Sequence, residues 1–199
     1  MTNRREILQA AAASALPLFA RAVGTGEAEA PRHIALRGII IDERYAASRT
    51  VGAHFASRGA AVHAILDGDI TQIWLREIDP AWRREPVAVA GLTARPALFC
   101  LEQFALVRGM RVVFHGEHIL HSDGETEHVL LRGGQAANLS VRDLRRAGPL
   151  WPVRLAHAIT VHRRYSAQAQ ARFGRSDAAL EPPLPPGAQL LTSWIIAAA

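Results

Sequence analysis

Apolar and polar positions fall into blocks along this chain, and the blocks change period. Ile34 to Ile41 is an apolar run, interrupted by Arg37, that ends at Asp42-Glu43-Arg44. It predicts a strand buried on both faces, because a half-exposed strand would alternate. In Ala46 to Ser57 the residues Ala47, Val51 and Phe55 recur every four positions, which predicts a helix stopped at Gly59. Ala60 to Leu66 predicts a second strand ending at Asp67-Gly68-Asp69, and Ile70 to Arg84 a helical stretch broken at Pro80. Val87 to Leu92 predicts a third strand ending at Thr93. Arg95 to Arg108 predicts a helix with Leu98, Leu101 and Ala105 facing the core and Gly109 as its stop. Met110 to Phe114 predicts a fourth strand, followed by His115-Gly116-Glu117-His118.

Strand and helix thus alternate four times. That order predicts an α/β fold with about four parallel strands in a three-layer, Rossmann-like, mostly parallel sheet, joined by right-handed crossovers. From about residue 119 the pattern changes. Ile119-Leu120 and Val129-Leu130-Leu131 flank Ser122-Asp123-Gly124-Glu125, which predicts an antiparallel hairpin. Ser140, with Asp143 three residues on, predicts a capped helix to Ala147. Pro152 to Gln170 predicts a longer helix, Glu181 to Gly187 an extended proline-rich connector, and Leu190 to Ile196 a last strand at a sheet edge. Residues 33–199 read as one domain, with a C-terminal extension from about 119.

In open parallel sheets ligands bind beyond the carboxyl ends of the strands. The predicted strand ends carry Asp42, Glu43 and Arg44, then Asp67 and Asp69, then Thr93, then His115 and Glu117. Asp42, Arg44 and Arg49 form the first local candidate: the arginines suit a small anionic ligand near a helix start. The same residues would also serve as an ion pair that only pins the loop. No Gly-x-Gly-x-x-Gly follows the first strand, so the standard dinucleotide fingerprint is missing.

His115, His118, His121 and His128 crowd into 14 residues with Glu117, Asp123, Glu125 and Glu127. Imidazole and carboxylate ligands suit a divalent metal. His118, His121 and His128 are the metal candidates, set against a plain polar hairpin face. His118 and His128 oppose each other in one possible hairpin register. Cys100 sits in an apolar helical stretch and reads as a packing residue, since a nucleophilic thiol needs exposure and a lowered pKa. No Gly-x-Ser-x-Gly elbow is present. Trp74, at helical spacing with Ile70 and Ile78, reads as core before it reads as pocket wall.

Composition removes further classes. All 23 basic residues are arginine, so a Schiff-base, pyridoxal-phosphate or phosphate-loop lysine is excluded. The single cysteine excludes an intramolecular disulfide and iron–sulfur or multi-thiolate zinc sites. The net charge is +5, with no dense basic run interleaved with aromatics, which argues against nucleic-acid binding.

The first residues speak to location. Arg4-Arg5 precedes Ile7-Leu8 and an uncharged apolar stretch, Ala10 to Ala20, with an Ala20-Arg21-Ala22 exit. This start resembles the signal peptides of the bacterial twin-arginine export family. The resemblance covers about the first tenth of the chain and departs from the family pattern at Gln9, where lysine is frequent. It implies residues 1–22 as a signal peptide cleaved after Ala22, residues 23–32 as a linker, and a periplasmic or secreted product. Removing Arg4, Arg5, Glu6 and Arg21 takes the charge from +5 to about +3. The apolar stretch is shorter than the roughly 20 residues of a membrane span, so no stable transmembrane anchor is expected. Since that export route carries folded proteins, the resemblance also admits an exported partner: the chain as a non-catalytic accessory subunit of an oxidoreductase. Such a subunit would show an exposed apolar patch, sought here at Leu150-Trp151 or Trp194-Ile195-Ile196.

Overall fold

The structure is a computed structural model that describes residues 36–134, 137–160 and 184–198. All of them belong to one compact unit, Pro31–Ala199. The expected signal peptide, the linker and the second half of the helix expected over Pro152 to Gln170 lie outside the described residues.

Six strands form a single sheet: β1 (Leu36–Asp42), β2 (Ala61–Ile65), β3 (Ala88–Ala94), β4 (Met110–Leu120), β5 (Thr126–Arg132) and β6 (Gln189–Ala198). Their order is β2-β1-β3-β6-β4-β5. β1 pairs in parallel with β2 and β3, while β3–β6, β6–β4 and β4–β5 are antiparallel. The sheet is therefore mixed, not the mostly parallel one expected. Three of the four predicted strands form a parallel block. β4 runs in the same direction but stands one strand away, because β6 has entered between it and β3.

The last strand was expected at an edge. Its sequence explains its central place. In Leu191-Thr192-Ser193-Trp194-Ile195-Ile196-Ala197 every residue is buried. Neither face offers a solvent side, which is the signature of an interior strand. The two edges are instead β2 and β5, which carry His63 and Glu127.

Helices cover both faces. On one lie α1 (Ala46–Ala56), α5 (Val141–Ala147) and α6 (Trp151–Thr160), packing Val51, Phe55, Leu144, Leu155 and Ile159 against Ile39, Ile41, Ala90 and Ile195. On the other lie α2 (Thr71–Ile73), a π-turn over Trp74–Ile78, α3 (Asp79–Arg84) and α4 (Arg95–Val107). These pack Ile70, Ile78, Trp82, Leu98 and Leu101 against Ile40, Val89, Met110, Trp194 and Ile196. The break expected at Pro80 is absorbed differently. Pro80 opens α3, where its missing N–H costs nothing, and the wide π-turn just before it leaves room for the ring. Ser140 and Asp143 cap α5 reciprocally, as the sequence predicts.

One contact fixes the centre of the sheet. A Cβ built on Gly91 would lie 2.2 Å from Trp194 Cζ2, so the indole of β6 lies flat on the bare backbone of β3. Trp194 Nε1–H donates to Thr93 Oγ1 at 3.1 Å. Gly91→Ala is expected to destabilise the fold by about 3 kcal/mol, because the backbone strand and a fully buried ring must both shift. Urea denaturation measures it; a loss below about 0.5 kcal/mol would show that the indole is free to move.

Candidate functional site

The carboxyl ends of β1 and β3, with the register of β6 and β4, bring several expected residues onto one face. Asp42 stands one step beyond the Ile41–Leu92 pair, level with Thr93. Thr93 pairs with Thr192, and Thr192 pairs with Glu117. Paired residues project to the same side. Asp42, Thr93, Thr192 and Glu117 thus form a row across four strands on the α4 side. Asp42, Thr93 and Thr192 have no exposed surface. The row shares a face but does not converge: Asp42 and Glu117 are three strand spacings, about 14 Å, apart.

Each end of the row has its own bonding. Arg44 donates from Nε to Asp42 Oδ1 at 2.9 Å and from Nη2 to Oδ2 at 2.7 Å. The Asp42 N–H donates to Ser48 Oγ at 2.8 Å, and Ser48 Oγ donates onward to the Leu92 carbonyl. This ties the end of β1 to the first turn of α1 and to β3. The hydrogen bond to Asp42 raises the Arg44 pKa still further above its ordinary value. The guanidinium lies across Gly68, whose φ of +95° and missing side chain make the room. Arg49 Nη1 donates to the Glu43 carbonyl and reaches no carboxylate in this loop. In the middle of the row, Thr93 Oγ1 donates to the Ala94 carbonyl and accepts from Trp194, and its own carbonyl accepts from Thr192.

β4 runs on to Leu120, so His115 and Glu117 are mid-strand residues and not loop residues beyond a strand end. His115 Nε2 lies 4.0 Å from Glu117 Oε1, too far for a hydrogen bond, and is buried without a partner. Burial, with the charges of Arg132 and Arg95, lowers the His115 pKa to about 4.

The metal candidates lie mainly on the opposite face. His118 and His128 are paired across the β4–β5 hairpin and are both buried. Their Nδ1 atoms are 2.8 Å apart, and His118 Nε2 is 2.8 Å from Ser193 Oγ. Ser193 Oγ also lies 3.4 Å from the Gly116 carbonyl, and each ring nitrogen of His118 has a partner. Trp151 of α6 stacks on His118 at 4.5 Å and 26°. His121 points elsewhere, to Glu127 at 3.0 Å. Among the described residues no three His, Cys, Asp or Glu side chains come together as a metal site.

A cleft of about 370 Å³ opens beside the row, at the ends of β2 and β3. The loop Gly68–Thr71 forms one lip and Pro96, Ala97 and Cys100 of α4 form the other, with Trp74, Leu75 and Phe104 closing it. Trp74 and Phe104 stack at 4.4 Å and 23°. Asp67 Oδ1 accepts from the Asp69 N–H at 3.0 Å, and Asp69 Oδ1 accepts from the Thr71 N–H at 2.8 Å. Hydrogen bonds from Thr71 hold the Asp69 carboxyl below its ordinary pKa. Of the residues expected from sequence, Asp69 alone lines the cleft. Asp67 and Arg44 lie next to it, and Thr93, His115 and Glu117 do not reach it. Sequence reading missed its walls. Cys100 is half-buried rather than core, and Trp74 is wall as well as packing.

The apolar patch sought at Leu150-Trp151 or Trp194-Ile195-Ile196 is not there: Leu150 is exposed, but the other four are buried. Of the cleft's own lining Leu75 is exposed by 57 %, and Leu66 and Phe99, close in sequence to the lining residues Gly68 and Cys100, are 69 % and 62 % exposed. Among the described residues no helix is long and apolar enough to cross a membrane. No protein-family model, curated protein or solved structure matches the chain.

The histidine pair makes a pH prediction. Burial lowers the His128 pKa to about 4 and the His118 pKa well below 6.5. The unfolded chain takes up these protons first, near pH 6.5, so stability is full above that pH and falls as pH drops toward 4. Each of these two histidines, and His115 with its pKa also lowered to about 4, contributes a slope of up to about 1.4 kcal/mol per pH unit in that window. Urea midpoints between pH 7.5 and 4.5 should fall accordingly, and His128→Gln should flatten the curve; an unchanged slope would refute the buried pair.

Proposed function

We propose that the protein is an exported ligand-binding protein that holds a small molecule in the cleft between the Gly68–Thr71 loop and α4. The observation that carries this is the cleft itself. Its volume lies within the range of small-molecule sites, and its walls are mainly apolar with a few polar groups on one lip. Its position adds support. The block β2-β1-β3 corresponds to the parallel half of a Rossmann-like sheet, and the cleft opens at the carboxyl ends of that block, where such sheets bind ligands.

An anionic ligand held by Arg44 is the expectation the sequence raises. The geometry favours another charge, because the Arg44 guanidinium is already engaged by Asp42 through two hydrogen bonds. The reading is one of binding: the row Asp42-Thr93-Thr192-Glu117 is occupied by internal hydrogen bonds or separated from the cleft, and so supplies no paired acid and base there.

A second reading has its own observation. Leu75 is exposed on the cleft wall, and Leu66 and Phe99 are exposed close to it in sequence, which favours an exported partner protein seated there, with the chain as an accessory subunit.

Two experiments test the proposal. Replacing Arg4 and Arg5 together by lysine should abolish the mature-length protein in the periplasmic fraction; unchanged export would remove the twin-arginine reading. Cys100 lines the cleft and serves as its probe. A ligand at ten times its Kd should slow maleimide labelling of Cys100 about tenfold. If a native metabolite extract leaves the labelling rate unchanged, the cleft is not a ligand site.

A further inference from the structure

We infer that the cleft selects a small organic cation: an amine or quaternary ammonium group on a flat apolar body. The inference rests on the ligand-binding reading above. Its first support is the charge of the lining. Asp69 is the single charged residue among the groups that form the cleft, and its carboxylate is held ionised by Thr71. Asp67 lies two residues away and orients the Asp69 backbone.

The second support is the state of the cation that reaches the Gly68 lip. Arg44 lies over Gly68, but its guanidinium is set between two carboxylates, those of Asp42 and Asp67. Two of its donors are committed to Asp42. An incoming anion would therefore meet the Asp69 carboxylate and, in Arg44, a guanidinium already engaged by Asp42. An incoming cation meets one carboxylate at the lip and an apolar wall behind it.

The third support is the wall. Trp74 and Phe104 stack on one another and line the cleft with Leu75, which gives it an aromatic wall. Aromatic rings attract cations through the ring quadrupole and accept flat apolar groups by contact. A carboxylate and an aromatic wall in one cleft suit an ammonium group joined to a ring.

Three probes of similar size separate the possibilities: benzyltrimethylammonium, benzyl alcohol and phenylacetate. Each is titrated against the rate of Cys100 labelling in the full-length protein. The ammonium is expected to protect at a concentration about fivefold lower than the alcohol, with phenylacetate weakest. The ammonium's advantage should shrink between about 0.05 and 1 M salt. Asp69→Asn keeps the acceptor for Thr71 and removes the charge, so it should erase that advantage and leave protection by benzyl alcohol intact. If benzyl alcohol protects as well as the ammonium, or phenylacetate protects best, the cation preference is overturned and the cleft remains a ligand site. If none of the three protects, the ligand-binding reading falls and the inference falls with it. Should Asp69→Asn fail to fold, the salt titration of the unaltered protein decides: an advantage that does not change with salt overturns the role of the carboxylate.

Discussion

The contact of Trp194 with Gly91 holds the two halves of the sheet together. β2, β1 and β3 form one half, and β4 with β5 forms the other; among the described strands β6 alone pairs with both. The indole needs a neighbour with no side chain, and Gly91 supplies it. The indole nitrogen, fully buried, needs an acceptor, and Thr93 supplies that two residues along the same strand. A buried indole without a partner would lose the free energy of a hydrogen bond and keep the cost of desolvation. Register, strand order and the level of the polar row all follow from this one placement. Because Thr192 and Ser193 are neighbours of Trp194 on β6, the same anchor sets the bonds to Thr93 on one face and to His118 on the other.

The polar groups of the sheet are divided between its faces, and the division has a chemical meaning. On the α4 face the buried oxygens of Thr93 and Thr192 are satisfied within the row, and Asp42 is neutralised by Arg44. On the other face His118 is satisfied at both ring nitrogens and sandwiched by Trp151. Buried polar groups that are fully bonded specify a packing arrangement more readily than a reaction. The candidate site lies outside both networks, in a cleft whose charged group is at the surface. The interior polar residues shape the scaffold, and the proposed recognition rests on the lip of the cleft.

Much of the local structure could be read from the chain. The block pattern gives the first three strands, α1, α4 and the β4–β5 hairpin, and the Ser140–Asp143 spacing gives a cap that forms as drawn. Strand order could not be read the same way. Periodicity shows that Leu191 to Ala197 is apolar on both faces, but the neighbours of an interior strand depend on shape complementarity between distant residues such as Gly91 and Trp194. The candidate site was legible only in part. Asp69 and Asp67 were visible as polar residues after an apolar run. Trp74 has core spacing with Ile70 and Ile78, and Cys100 lies in an apolar helical stretch that reads as packing. Only the tertiary path of the loop before α2 turns their faces into walls. His115 and Glu117 were placed beyond a strand end because the apolar run stops at Phe114. β4 continues as regular strand past that point, supported by pairing with β6 on one side and β5 on the other.

The order of the strands has a consequence in time. The central strand is the last of the six to leave the ribosome. Until it does, β3 and β4 each present an unpaired edge, and the two halves of the sheet have nothing to join them. Every earlier element can form locally, yet the protein cannot close before β6 arrives, some 100 residues after the glycine that receives its indole. The sheet of such a chain closes late, when the most C-terminal of its described strands becomes available to join two halves already made. If the chain is exported folded, as proposed, that last insertion would mark the molecule as finished.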